Sequence, residues 1–151
     1  MYRSNGDGTY TEVSASSGKY FSDKYVGRGT AFGDYDNDGD IDLLVLNCNQ
    51  RVILLRNDGG NANNWLAVKL IGTRSNRDGI GARIRLTTEG ETRIAEIQST
   101  ASYLSANDLR VIFGLGRKKV VDRIEVYWPS GTKQTLKGIK ANQLIKITEK
   151  I

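Results

Sequence analysis

Apolar and polar residues alternate along much of this chain with a period of two. In Trp65-Leu66-Ala67-Val68-Lys69-Leu70, the side chains of Leu66, Val68 and Leu70 fall on one face. Between residues 82 and 86, Ile84 and Leu86 point one way and Arg83 and Arg85 the other. Ile124, Val126 and Trp128 make a third such set. A period of two is that of a half-buried strand. The pattern predicts strands at 9–13, 30–33, 41–46, 52–56, 65–71, 82–88, 92–98, 109–113, 123–128, 133–136 and 144–148. Turns are marked by Asn5-Gly6-Asp7-Gly8, Asp58-Gly59-Gly60, Glu89-Gly90 and Ser130-Gly131. The best helix candidate is a short turn near 102–107, so the chain reads as all-β. The stretch 41–46 is apolar except for Asp42 and is expected to be a buried strand.

Between two of these strands lies Asp34-Tyr35-Asp36-Asn37-Asp38-Gly39-Asp40-Ile41-Asp42, with five carboxylates in nine residues. Such a density repels itself unless a cation is present. Asp34, Asp36, Asp38 and Asp42 stand at loop positions 1, 3, 5 and 9. Hard oxygen ligands in that spacing suit Ca²⁺, which takes about six to eight oxygens. Gly39 permits the sharp turn, and Asp40 is placed to offer its backbone carbonyl. An EF-hand would need a glutamate at position 12, where this chain has Val45, and flanking helices where it has strands. The alternative without metal is a solvated acidic turn.

Composition narrows the chemistry. The 151 residues contain no histidine, which removes His-based nucleophilic catalysis and His-ligated zinc. The single cysteine, Cys48, cannot form an internal disulfide and is expected to be half-buried beside a strand end. Carboxylate-pair hydrolysis survives, but Glu89, Glu91 and Glu96 read as exposed hairpin acids. No apolar run approaches the length of a membrane span, and the first residues lack a signal-peptide core. Residues 1–63 carry 6 basic and 9 acidic side chains, and residues 64–151 carry 16 and 8. The change of sign coincides with the linker-like stretch 57–64. Two units are expected, 1–60 and 61–151.

Other residues have competing readings. Trp65 and Trp128 are expected in the core rather than stacked on sugar. Arg74, Arg77 and Asp78 lie in a Gly-flanked loop that would either bind a carboxylate or sulfate or be fixed by an Arg–Asp pair. Asn76 and Asp78 are a weak second cation site. Arg117-Lys118-Lys119 reads as a solvated turn. The basic residues are scattered over many strands, which argues against nucleic-acid binding.

Three stretches carry a resemblance: Asn5-Gly6-Asp7-Gly8-Thr9-Tyr10, then Gly29-Thr30-Ala31-Phe32-Gly33 running into the acidic loop, then Leu54-Leu55-Arg56-Asn57-Asp58-Gly59. They resemble FG-GAP/VCBS repeats, the calcium-binding blades of integrin-type β-propellers. A faint echo of Tyr2 to Gly8 in Leu55 to Gly60, 53 residues on, fits a blade repeat. Residues 64–149 resemble the ASPIC/UnbV domain, which follows such repeats in secreted proteins. The matching stretches are Gly72 to Ala82, Ser102-Tyr103-Leu104-Ser105, Phe113-Gly114-Leu115-Gly116 and Trp128-Pro129-Ser130-Gly131.

The resemblance implies a partial propeller blade with a calcium loop, followed by a β-sandwich-like domain. It implies Ca²⁺ on Asp34, Asp36, Asp38, Asp40 and Asp42, an extracellular or periplasmic setting and no catalytic role. The expected function is binding or adhesion to a protein or glycan, without nucleic acid or membrane insertion. The alternatives are a carbohydrate-binding module and a carboxylate-dependent glycoside hydrolase fragment. About one blade is present and the strand expected after Asn57 is missing, so open edges are expected to pair with the second unit or to self-associate. The 9–13 strand is an alternative local partner.

Overall fold

The computed structural model describes residues 1–59 and 62–151; the expected boundary between 60 and 61 lies outside the described residues. Among those residues there is no α-helix, only strands and two short 3₁₀ turns at Ser14–Ser16 and Lys19–Ser22. The helix candidate at 102–107 is instead a turn closed by a bridge between Ser102 and Ser105.

β1 (Tyr2–Ser4) and β2 (Tyr10–Glu12) form a small hairpin, so the 9–13 segment pairs with residues 2–4. β3 (Gly27–Gly33), β4 (Asp42–Asn47) and β5 (Ile53–Leu55) form an antiparallel three-stranded sheet. β4 is not buried on both faces as its apolar run suggested. Val45 is buried, but Leu44 and Leu46 are 46% and 45% exposed. A three-stranded sheet has two faces, and the one carrying Leu44, Leu46 and Leu54 has no layer packed on it among the described residues. Cys48 is likewise exposed rather than half-buried.

The rest of the chain forms two further sheets. β6 (Asn64–Ile71), β9 (Val111–Gly116) and β12 (Gln143–Thr148) make one, with β6 central, antiparallel to β9 and parallel to β12. β7 (Arg83–Thr88), β8 (Glu91–Glu96), β10 (Val120–Tyr127) and β11 (Lys133–Lys140) make the other, in the order β11-β10-β7-β8. The alternation seen in the sequence decides the faces. Leu66, Val68 and Leu70 from the first sheet meet Ile84, Leu86, Ile124 and Val126 from the second in one buried cluster. Each such side chain, fully buried, contributes on the order of 1.5–3 kcal/mol. Trp128 belongs to this core at 4% exposure. Trp65 does not: it is half-buried and faces the acidic loop.

Residues 105–108 dock on β3. Thr30 N donates to Ser105 Oγ (3.0 Å), Phe32 N donates to Asn107 Oδ1 (3.1 Å), and Asp108 N donates to the Phe32 carbonyl (3.0 Å). Gly29 and Gly33 make the approach possible. A β-carbon on Gly29 would lie 3.1 Å from Ser105 Oγ, and one on Gly33 3.0 Å from Asp108 Cβ. Along β3 the chain therefore makes three hydrogen bonds to residues 105–108, two of them through side chains, and among the described residues no strand other than β4 pairs with β3.

Candidate metal centre in the β3–β4 loop

The register Gly33↔Asp42 places the start of the loop beside its end. Asp34 follows β3 and Asp42 opens β4, so hairpin pairing brings their carboxylates together before any ion is considered. The intervening residues turn back through two left-handed positions, Asn37 (φ 63) and Gly39 (φ 97). Asparagine and glycine are the residues that tolerate this region at least cost. The result gathers carboxylate oxygens of Asp34, Asp36 and Asp42 within 4.8 Å of one another.

Backbone donors hold these carboxylates in place. Asp34 accepts Asp38 N and Gly39 N, both at 3.1 Å. Asp42 accepts Tyr35 N (3.1 Å) and, from the chain after β5, Asn57 N (2.9 Å). Asp38 Oδ1 accepts Asp40 N at 2.9 Å. Each carboxylate oxygen has two lone-pair sites, so an oxygen that accepts one N–H retains a site for a cation. Asp34, Asp40 and Asp42 are buried.

The electrostatics of the cluster ask for positive charge. Desolvation, then the charges of Asp38, Asp42 and Asp34, push the Asp36 carboxyl above its usual range, against one backbone hydrogen bond that lowers it. Among the described residues no lysine or arginine forms an ion pair with Asp34, Asp36 or Asp42. Arg110 hydrogen-bonds the loop through neutral atoms, while its charge also acts on Asp34. Its Nη2 donates to the Asp34 carbonyl and its Nη1 to Asn37 Oδ1, each at 2.5 Å. Its Nε donates to Asp108 Oδ2 at 2.5 Å, and that carboxylate raises the arginine's pKa. An oxygen-only donor set with crowded carboxylates suits a hard divalent cation.

The sequence did not indicate two contacts to this loop: Arg110, 76 residues from Asp34, and Trp65, whose indole lies against Gly39. The Gly-flanked loop at 72–81 also has an occupant that the sequence did not indicate. Thr73 N, Arg74 N and Ser75 N all donate to Glu149 Oε2, at 2.9, 2.8 and 2.7 Å. Ser75 Oγ and Ser130 Oγ donate to Oε1 at 3.0 and 2.5 Å. Burial would raise this carboxyl, but the Ser130 hydroxyl and the three N–H groups outweigh it and hold the pKa at about 2. The loop does bind a carboxylate, with backbone N–H groups rather than arginine forks, and the carboxylate is the chain's own. The expected Arg–Asp pair is not formed: among the described residues neither Arg74 nor Arg77 pairs with Asp78. Asn76 instead closes the turn with its side chain, bonding both N–H and carbonyl of Ile80.

The hairpin acids are individually paired with cations, Glu91 with Lys118 (2.7 Å) and Arg93 (3.8 Å), Glu96 with Arg83 (3.2 Å). Glu89 uses its backbone N–H to bind Asp122.

Residues 72–151 match the ASPIC and UnbV family, and residues 1–45 match the FG-GAP-like repeat. The chain belongs to the ASPIC and UnbV family. Cartilage acidic protein 1 of Mus musculus is 30% identical over 129 residues, covering 82% of this chain and 20% of that protein. The Homo sapiens protein of the same name is also 30% identical over 129 residues, covering 19% of its length. The chain thus spans about a fifth of the length of these curated relatives. Both family matches agree with the all-β architecture of an FG-GAP blade followed by a sandwich-like unit. No helix among the described residues is long and apolar enough to cross a membrane.

Proposed function

We propose that the chain is a calcium-stabilised, non-catalytic binding module of an extracellular or periplasmic protein, and that residues 1–60 and 61–151 are its two units. Ca²⁺ would be held by the carboxylates of Asp34, Asp36, Asp38 and Asp42 and by the Asp40 carbonyl. The observation that carries this reading is the convergence of Asp34, Asp36 and Asp42 within 4.8 Å, with no lysine or arginine ion-paired to them among the described residues. The metal's role would be structural. It cancels the repulsion inside the loop and fixes the β3–β4 hairpin against Arg110 and Trp65, so that both units present their surfaces in one geometry. A cleft beside the loop, walled by Leu44, Leu54 and Ala106, adjoins the metal carboxylates and is where we place contact with a protein or glycan ligand.

Calorimetric titration with Ca²⁺ tests the assignment. One dominant site is expected, weakened at least tenfold by Asp36→Ala and by Asp42→Ala. Equal binding by the wild type and both variants would sink it.

A further inference from the structure

The outer face of the four-stranded sheet gathers basic residues that lie far apart in the sequence. On β10, Arg123, Glu125 and Tyr127 stand opposite Thr87, Arg85 and Arg83 of β7 and opposite Lys137, Thr135 and Lys133 of β11. Directly paired residues share a face. Five cations therefore project from one surface: Arg83, Arg85, Arg123, Lys133 and Lys137. Two acids share it, Glu125 at the centre and Glu96 at the margin beside Arg83.

Glu125 organises the array. Its residue is only 6% exposed, and Lys133, Arg123 and Arg85 surround its carboxylate at 3.0, 3.6 and 3.9 Å. One carboxylate relieves the mutual repulsion of three cations but cannot neutralise them. The two arginine distances exceed hydrogen-bond length, and among the described residues the buried atoms Glu125 Oε2 and Arg123 Nε have no hydrogen-bond partner. Arg83 Nε donates to Glu96 and Lys133 binds Glu125, yet the Arg83, Arg85, Arg123 and Lys133 side chains are 70%, 45%, 44% and 51% exposed, so their charge faces solvent. Lys133 pulls the Glu125 pKa down, so the acid stays ionised and the array stays ordered in neutral solution.

We propose that this face binds an anionic polysaccharide, with sulfate or carboxylate groups of the sugar chain engaging the five cations. Outward residues recur every second position, about 7 Å along a strand, and neighbouring strands lie about 4.8 Å apart. The cations therefore form a grid that suits a chain bearing an anionic group on most of its sugars. Arginine forks match the planar carboxylate and the sulfate oxygens. Nucleic acid fits less well. Single strands need open aromatic rings for stacking, and the one ring here, Tyr127, is covered by Lys133 at 4.9 Å. Duplex recognition needs an element that enters a groove, and this face is the outer surface of a four-stranded sheet with no helix or loop raised from it among the cations named. A membrane surface would want several apolar anchors, and among the described residues the face offers Ile94 and the Lys133-covered ring of Tyr127.

The site does not rest on the metal reading, since among the described residues no hydrogen bond or ion pair joins its five cations to the acidic loop. The test uses the full chain with a sulfated decasaccharide derived from heparin, titrated in excess Ca²⁺ and in chelator. Binding is expected under both conditions, and it should weaken steeply as salt rises. Arg83→Ser with Lys137→Ser removes two cations outside the Glu125 knot and is expected to weaken binding at least tenfold. Arg83→Lys with Lys137→Arg should keep it within threefold, which separates loss of charge from loss of fold. Lys146→Ser with Lys150→Ser removes the same charge from elsewhere on the second unit and should change it less than twofold. No binding by the wild type would overturn the proposal. So would equal weakening by the two serine pairs, or loss of binding on chelation alone. A 20-base-pair DNA duplex that binds more tightly, through the same residues, would reassign the face to nucleic acid.

Discussion

The Gly39 backbone lies so close to the Trp65 indole that a β-carbon there would stand 2.1 Å from both Cε2 and Nε1. Gly39 sits at the turn of the acidic loop, and Trp65 is the second residue of β6. The loop that would hold the metal is therefore built against the first strand of the second unit. Glycine is required twice over, by its φ of +97° and by the ring beneath it. Gly39→Ala is expected to destabilise the chain by about 2–4 kcal/mol, from combined strain and overpacking. Denaturant unfolding would measure this, and a cost below about 0.5 kcal/mol would show that the contact is slack.

The same contact makes Trp65 a reporter. The chain has two tryptophans, and Trp128 is buried in the sandwich core away from the loop. With Trp128→Phe, Trp65 remains as the sole indole, and its emission should shift when Ca²⁺ is added. With Trp65→Phe, the remaining emission should not respond. A calcium response that follows Trp128 instead would place the ion elsewhere.

Arg110 is the second tie between the acidic loop and the sandwich-like part of the chain. Its guanidinium donates to the Asp34 carbonyl, Asn37 and Asp108 at once, and it is mostly buried. Arg110→Ala should cost about 2–4 kcal/mol, because two acceptors on the loop and one carboxylate lose a charged donor. Arg110→Lys should recover only a small part, since an ammonium cannot reproduce the fork. Chemical denaturation of the three proteins, with and without Ca²⁺, gives the comparison.

Glu149 predicts an acid-sensitive latch. Its carboxyl is held at about 2 in the folded chain, below the ordinary value of 4.5. A depressed carboxyl stabilises the fold fully above its unfolded pKa, and that stabilisation is lost as pH falls through the folded one. The loss should therefore run from about pH 4.5 down to about pH 2. Glu149→Gln should be less stable than the wild type at pH 7, and the gap should narrow across this window. Melting temperatures from pH 7 to pH 2 would show it; parallel curves would mean that the carboxylate charge contributes nothing.

The β5 edge is the remaining open side of the first sheet. Among the described residues β5 pairs only with β4, and Leu54 on it is 48% exposed. Exposed edges recruit further strands. We expect concentration-dependent association of the chain through this edge, reduced by Leu54→Lys. Light scattering across a hundredfold range of concentration would show it, and an unchanged mass for both proteins would rule the edge out.

Some of this was determined by the sequence alone, because its causes are local. The strands follow from alternation with a period of two, which Leu66, Val68, Ile84 and Leu86 carry out in the core. The acidic loop follows from carboxylate crowding around one glycine within nine residues. Other features join residues far apart along the chain, and no spacing rule reaches that far. Trp65 on Gly39, Arg110 on Asp34 and Glu149 in the N–H cradle at 73–75 exist only once the sheets have formed, the last two across 76 or so residues. The apolar run of β4 could not reveal which of its faces would be covered, since coverage is decided by which layer packs there. The basic residues looked scattered because they come from three strands. Antiparallel register set Arg83, Arg85, Arg123, Lys133 and Lys137 side by side, as pairing across strands rather than order along the chain decides which charges meet.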